Sequence, residues 1–310
     1  MHYGNTRGDR PPGQQRPEAL KAAVPGATIR ETSGGGEAMS QLRQPSEFPW
    51  QRPRIGLIDV HGPIMQSARV AETVRALGAL AADKRVRVVV LDIDSPGGSA
   101  GLADHLHLAV SRLGQTKPVI AHIRNLGLSG GYLVACAARR IVAPPTALVG
   151  SIGVIIARPV VQELMERLGI KMFVSRIGEH KDMMQPWREP TPVEAEKLAA
   201  LRDEFYEWFI GRVAEKRGLP LEQVRSYATG EFFTAARAKE MGLVDDLGDL
   251  DTALDMASEM GRVPRNVVHI RPRRPLLERL FSPAAASLAH HLAQELESRL
   301  QVRVEYRSGG

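Results

Sequence analysis

Residues 125–132 read Asn-Leu-Gly-Leu-Ser-Gly-Gly-Tyr, and an apolar, alanine-rich segment follows to Ala138. This pattern predicts a tight turn that delivers Ser129 to the first turn of a buried helix. A hydroxyl there lies against unpaired backbone N–H groups and the positive end of the helix dipole. The glycines keep side chains away, so a second stretch of backbone can approach closely. Those conditions suit a serine that attacks a carbonyl. They also fit a glycine-rich helix entry in which Ser129 is only an N-cap.

A serine nucleophile needs a base. Histidine is the usual partner, but none of the nine histidines sits in a distinctive motif. His122 lies within an apolar strand pattern and reads as a core residue. Lysine serves instead where burial favours its neutral form. Lys181, in Gly178-Glu179-His180-Lys181-Asp182-Met183-Met184, is such a candidate, although a lysine is ordinarily a surface residue. Two further glycine-containing stretches stand out, Asp94-Ser95-Pro96-Gly97-Gly98-Ser99 and Gly150-Ser151-Ile152-Gly153.

The elements that would carry these residues alternate between strands and helices. Arg54–Val60 reads as a strand and 67–82 as a helix, with Val70, Val74, Leu77 and Leu80 at helical spacing. Arg87–Ile93 is continuously apolar, as in parallel sheets, and a helix follows it through Val110. Strands are expected at Pro118–Ile123, Arg140–Ala143 and Lys171–Arg176, a strand or turn around 147–154, and a helix over 159–168. Thr191-Pro192-Val193-Glu194 is a capping-box helix start. That helix should bury Leu198, Leu201, Phe205, Trp208, Phe209 and Val213. Helices at 235–241 and about 249–260 complete the domain. Alternation with right-handed crossovers implies an α/β domain with parallel strands. Ligands bind beyond the carboxyl ends of such strands, so loops 95–99 and 127–131 should share one rim.

Composition sets the outer bounds. The chain has 310 residues, 43% hydrophobic and 25% charged, and a single cysteine, Cys136, which reads as a small core residue. The net charge of +6 resides in the tails: residues 1–54 carry +3, 262–310 carry +5 and the middle carries −2. A nucleic-acid-binding core is therefore not implied. Residues 1–50 are rich in Gly, Pro, Gln and Arg and read as a disordered tail in which Met39 could be the true start. Residues 51–261 form the folded domain, and 262–310 a basic linker leading to an amphipathic helix with Leu288, Leu292, Leu296 and Leu300. Without a membrane-spanning run or a signal-peptide core, the expectation is a cytoplasmic protein. Peripheral contact with the inner face of the membrane through the basic tails stays open.

Leu91–Ser99, Leu128–Tyr132, Val149–Val154, Gly178–Met184 with Arg188-Glu189, and Gly242–Gly248 occur in one order across about 55–260. Together they resemble the bacterial signal peptide peptidase A (SppA) family of Ser–Lys serine peptidases. The resemblance implies an α/β, Clp protease/crotonase-like fold with parallel strands and crossover helices. It implies Ser129 as nucleophile, Lys181 as general base and Ser151 as the residue that orients the lysine. Gly97 and Gly98, with the N–H of Gly130, would form the oxyanion hole. It implies a peptide substrate, no cofactor or metal, and a homo-oligomer in which neighbouring protomers share each site. Other readings of the same motifs are a crotonase-like acyl-CoA enzyme, a phage-type capsid or scaffold peptidase, and a non-enzymatic assembly protein.

Overall fold

The computed structural model describes residues 52–270. The expected tail over 1–50, the alternative start at Met39 and the amphipathic helix near 284–301 lie outside the described residues.

The strongest apolar runs build the centre of a mostly parallel sheet. Strands β1 (Arg54–His61), β2 (Val86–Ser95) and β3 (Val119–Leu128) pair in parallel. Helices α1 (Ser67–Ala82) and α2 (Ala100–Gly114) provide the crossovers between them. Val88, Val89, Val90, Leu91 and Ile93 of β2 are fully buried. That accounts for a run without polar alternation, because helices cover both faces of a parallel sheet. Beyond β3 come α3 (Gly130–Cys136), β4 (Arg140–Ala143) and β5 (Leu148–Gly150). Next are α4 (Gln162–Arg167), the long α5 (Pro192–Arg217) and α6 (Leu221–Tyr227). The chain closes with β6 (Phe232–Thr234), α7 (Ala235–Glu240), β7 (Asp246–Leu247), α8 (Leu250–Gly261) and β8 (Val267–Ile270).

The main strand order is β6-β5-β3-β2-β1-β8, with β4 joining β3 to β7 off that path. All pairs are parallel except β5 with β6. The expected α/β architecture with parallel strands and crossover helices is therefore present. β8 continues the sheet past residue 261, where the composition turns basic, by pairing with β1.

Three expectations need correction. Lys171–Arg176 forms no strand. A strand needs a partner edge, yet these residues pair with none of the sheet, and Phe173 is 93% exposed. Helix α5 does not bury the whole predicted face. Phe209, Ile210 and Val213 are buried, Leu198 and Trp208 are partly buried, and Leu201 and Phe205 are exposed. Only the C-terminal half of α5 reaches the core. The helix 159–168 shortens to Gln162–Arg167, all of it outside the core.

On the face that α8 covers, Ile55, Leu57, Val88, Val90 and Ile120 pack against Ala253, Leu254 and Ala257. Towards the carboxyl ends of the strands the same face turns polar, and buried Asp92 becomes its hub. Asp92 accepts from His122 Nδ1 at 2.8 Å, from His61 Nε2 at 3.2 Å and from the Arg124 guanidinium. Burial alone would push this carboxyl up, but the His122 and Arg124 hydrogen bonds outweigh it and hold the pKa at about 2. A depressed carboxyl stabilises the fold above its ordinary pKa, and the contribution fades as pH falls towards the depressed value. The shift corresponds to about 2 kcal/mol. Asp92→Asn should therefore lower the melting temperature at pH 7. Its deficit relative to wild type should shrink between pH 4 and pH 2, as a thermal-melt series across pH would register.

Candidate active site

Two strand ends and two glycine-bearing loops converge on Ser129. Strand β3 and strand β5 run parallel with Leu128 opposite Gly150. Ser129 and Ser151 occupy the next step of that register. The Ser129 N–H donates to Gly150 O at 2.8 Å, and the Ser151 N–H donates to Glu231 O at 2.7 Å. Both serines have left-handed backbone, with φ of 49° at Ser129 and 50° at Ser151. Such a conformation costs about 1–3 kcal/mol at a non-glycine residue and persists only where the surroundings enforce it. At Ser129, with ψ of −121°, it makes the sharp turn from β3 into α3.

The loop after β2 lies against this turn. A Cβ at Gly97 would stand 2.8 Å from Gly130 N, Leu128 O and Ser129 Cβ. A Cβ at Gly130 would stand 3.6 Å from Gly98 N. The expected common rim for loops 95–99 and 127–131 is thus real, and its close approach requires glycine. Ser95, which the sequence reading left without a role, organises the loop. Its fully buried hydroxyl donates to Gly62 O at 2.8 Å and accepts from Gly97 N–H at 3.1 Å. A segment before α1 completes the frame, with Ile64 N–H donating to Gly97 O at 2.8 Å and Ser99 N–H to Ile64 O at 2.9 Å. The N–H of Gly97 is therefore engaged. Those of Gly98 and Gly130 have no hydrogen-bond partner among the described residues.

Five of the residues expected from sequence thus come together: Gly97, Gly98, Ser129, Gly130 and Ser151. No hydrogen bond or ion pair among the described residues joins Lys181 to them. The lysine lies in an exposed turn, and its ammonium has no hydrogen bond or ion pair among the described residues. The turn belongs to a stretch rich in exposed apolar side chains, including Ile155 at 89%, Phe173 at 93% and Ile177 at 100% exposure.

The polar cluster around Asp92 was not foreseen. Asp59, His61 and Asp92 lie close enough to share a metal ion. Asp92 already accepts from His122, Arg124 and His61, and Asp59 Oδ1 is engaged by His269 at 2.6 Å. The cluster closes on itself as a hydrogen-bond network. His122 is buried, as expected of a core residue, with its Nε2 unpaired among the described residues. Cys136 is fully buried, and burial pushes its thiol up to about 12, which removes it as a nucleophile.

Comparison with known proteins assigns the family. The profile of Peptidase family S49 matches residues 111–263. A Synechocystis sp. protein named as a protease is 33% identical over 232 residues, covering 74% of this chain and 83% of the relative. The chain belongs to peptidase family S49. It is a serine-type peptidase. The chloroplastic serine protease SPPA of Arabidopsis thaliana is 32% identical over 67% of this chain, but this chain covers only 31% of that protein. Protease 4 of Salmonella typhi is 28% identical over 70% of this chain and 35% of its own length. Among solved structures, a membrane-bound stomatin-specific protease aligns with a TM-score of 0.47 at 16% identity, over 72% of this chain and 99% of that one. The fold class rests on the parallel sheet and its crossovers. Among the described residues no helix is long and apolar enough to cross a membrane.

The glycine approach has a direct consequence. A Cβ at Gly98, where φ is +153°, would stand 2.4 Å from Ile64 O. Gly98→Ala in this S49 peptidase should cost about 1–3 kcal/mol of stability, as strained backbone does, and should abolish hydrolysis. Gly78, exposed on α1 with open space around its Cα, is the control. Gly78→Ala should leave activity intact and raise stability by about 0.5–1 kcal/mol. Urea denaturation and a peptidase assay on both variants check the pair.

Proposed function

We propose that the protein is an endopeptidase that cleaves extended apolar peptides through a Ser129–Lys181 dyad, with each site shared between neighbouring protomers of a homo-oligomer. The observation that carries this reading is the strained Ser129 turn with the unpaired N–H groups of Gly98 and Gly130 beside it. Neutral Lys181 Nζ takes the Ser129 Oγ proton as Oγ bonds to the peptide carbonyl carbon. The carbonyl oxygen becomes an oxyanion that accepts from Gly98 and Gly130 N–H, and losing one such donor costs about 3 kcal/mol of transition-state stabilisation. On collapse the C–N bond breaks, and Lys181 returns the proton to the leaving amine. Water then attacks the acyl ester and gives a proton to Lys181; the C–Oγ bond breaks, Lys181 passes that proton to Ser129 Oγ, and the carboxylic acid product leaves.

In this reading Gly97 shapes the oxyanion loop without donating, because its N–H is held by Ser95. Ser151 stands beside Ser129 and orients the lysine. An extended substrate would add to a strand edge beside the turn. The exposed apolar side chains around Lys181 supply the reason for assembly. Phe173 and Ile177 on that stretch, and Leu201 and Phe205 on α5, want cover that one chain does not give them. A neighbouring copy would cover them and, in doing so, bring its own Ser129 to Lys181.

Ser129→Ala and Lys181→Ala should each abolish hydrolysis of an apolar peptide, and Ser129→Ala should also abolish fluorophosphonate labelling. Equal mixing of the two inactive variants, followed by reassembly, should restore about a quarter of wild-type activity, as random neighbours in a head-to-tail ring require. No recovery would place both groups of a site on one chain. The wild-type pH profile should fall on the acid side, as a reaction that needs a neutral amine base does, and labelling should follow the same limb.

A further inference from the structure

Lys181 is followed directly by an aspartate. A carboxylate within about 4–6 Å of an ammonium favours its charged form, the opposite of what a general base requires. Asp182 is buried, at 6% exposure, and its oxygens are occupied from two sides. Arg188 Nη2 donates to Oδ1 at 2.9 Å and Nε to Oδ2 at 3.2 Å, and Arg176 also donates to Oδ1. The same Arg188 guanidinium grips Glu194, with Nη1 to Oε2 at 2.7 Å and Nη2 to Oε1 at 2.6 Å. Glu194 is 2% exposed and completes the capping box of α5, accepting from Thr191 N–H at 2.9 Å. The Lys181 turn is thereby fastened to the first turn of α5, whose other end is buried in the core.

We propose that Arg188 is a positioning residue for catalysis: it ties the Lys181 turn to α5 and occupies the Asp182 carboxylate that would otherwise pair with Lys181. This inference rests on the Ser129–Lys181 reading. The arrangement closes electrically. Two carboxylates, Asp182 and Glu194, face two guanidiniums, Arg176 and Arg188, so the group presents no net charge to the lysine. Hydrogen bonds from Arg188 first, then Arg176, hold Asp182 down at about 2, so it stays an occupied anion throughout the working range. Of the remaining charged neighbours, Glu179 is largely exposed to solvent, with His180 Nε2 at 3.9 Å, and Arg158 is turned to the carbonyls of Gln185 and Arg188. Glu189 is exposed beyond the turn.

Removing the Arg188 charge leaves one net negative charge beside Lys181 and frees Asp182 to pair with it. In Arg188→Gln the acid limb of kcat/KM should move to higher pH by about one unit, a tenfold loss on the limb, with activity recovering at alkaline pH. A merely structural role would lower activity at all pH values alike. Adding Asp182→Asn to Arg188→Gln removes the freed carboxylate and should return the limb to its wild-type position. Arg188→Lys keeps a cation but not the two-sided grip and should give a smaller shift, which provides a reading if Arg188→Gln folds poorly. Thermal melts and oligomer size accompany each variant. An unmoved limb in both Arg188→Gln and Arg188→Lys overturns the inference, as does a loss that is uniform in pH and not reversed by Asp182→Asn. If Lys181→Ala is inactive while the Arg188 variants keep the wild-type profile, only this inference fails. If Lys181→Ala retains activity, the dyad reading fails and this inference with it.

Discussion

The close approach of two backbone turns, around Gly97-Gly98 and around Ser129-Gly130, is the constraint on which the rest of the molecule depends. Neither turn is comfortable alone. Ser129 holds a backbone conformation that few non-glycine residues adopt, and Gly98 sits under Ile64 O with no room for a Cβ. Each is enforced by bonds to the other elements: Ser129 N–H to the end of β5, Gly97 to Ser95 and Ile64, Ser95 to Gly62. The strain is affordable because β1, β2 and β3 lie under it as a parallel sheet whose apolar side chains are buried. Such over-determination holds the strained backbone in place and leaves the N–H groups of Gly98 and Gly130 unpaired among the described residues.

A second, softer region contrasts with this rigid one. From Ser151 to Pro190 the chain has one short helix and no strand, and many of its large apolar residues, Ile155, Phe173 and Ile177 among them, are exposed. What order it has near Lys181 comes from ion pairs rather than from a core. Asp182, Arg188 and Glu194 do locally what apolar packing does elsewhere, with directional bonds that specify one geometry. Burying apolar side chains in a neighbour would supply the missing driving force for the remainder.

The parallel core was legible because its residues decide it locally. Continuous apolar strands and a helix with Val70, Leu77 and Leu80 at helical spacing can satisfy their pattern in only one way. The capping box at Thr191 and Glu194 was equally plain, since it uses neighbours three residues apart. Reading failed where a pattern needed a partner it did not have. Lys171–Arg176 has the apolar centre of a short strand but meets no sheet edge, and Leu201 and Phe205 follow the helical period but lie beyond the core. Strand β8 was missed because its pairing with β1 joins residues about two hundred positions apart.

Residue types and their order made Ser129 and Lys181 candidates, and the resemblance to the SppA family added Ser151, Gly97, Gly98 and Gly130. Which N–H groups remain free was decided only in three dimensions. Gly97 and Gly98 are alike in sequence, yet Ser95 engages one and leaves the other unpaired. The sequence likewise placed a lysine beside an aspartate without saying whether they pair. Folding answered by bringing Arg188 and Arg176 onto that aspartate. Side-chain chemistry is written residue by residue, whereas the occupancy of a donor or acceptor depends on what the fold sets beside it.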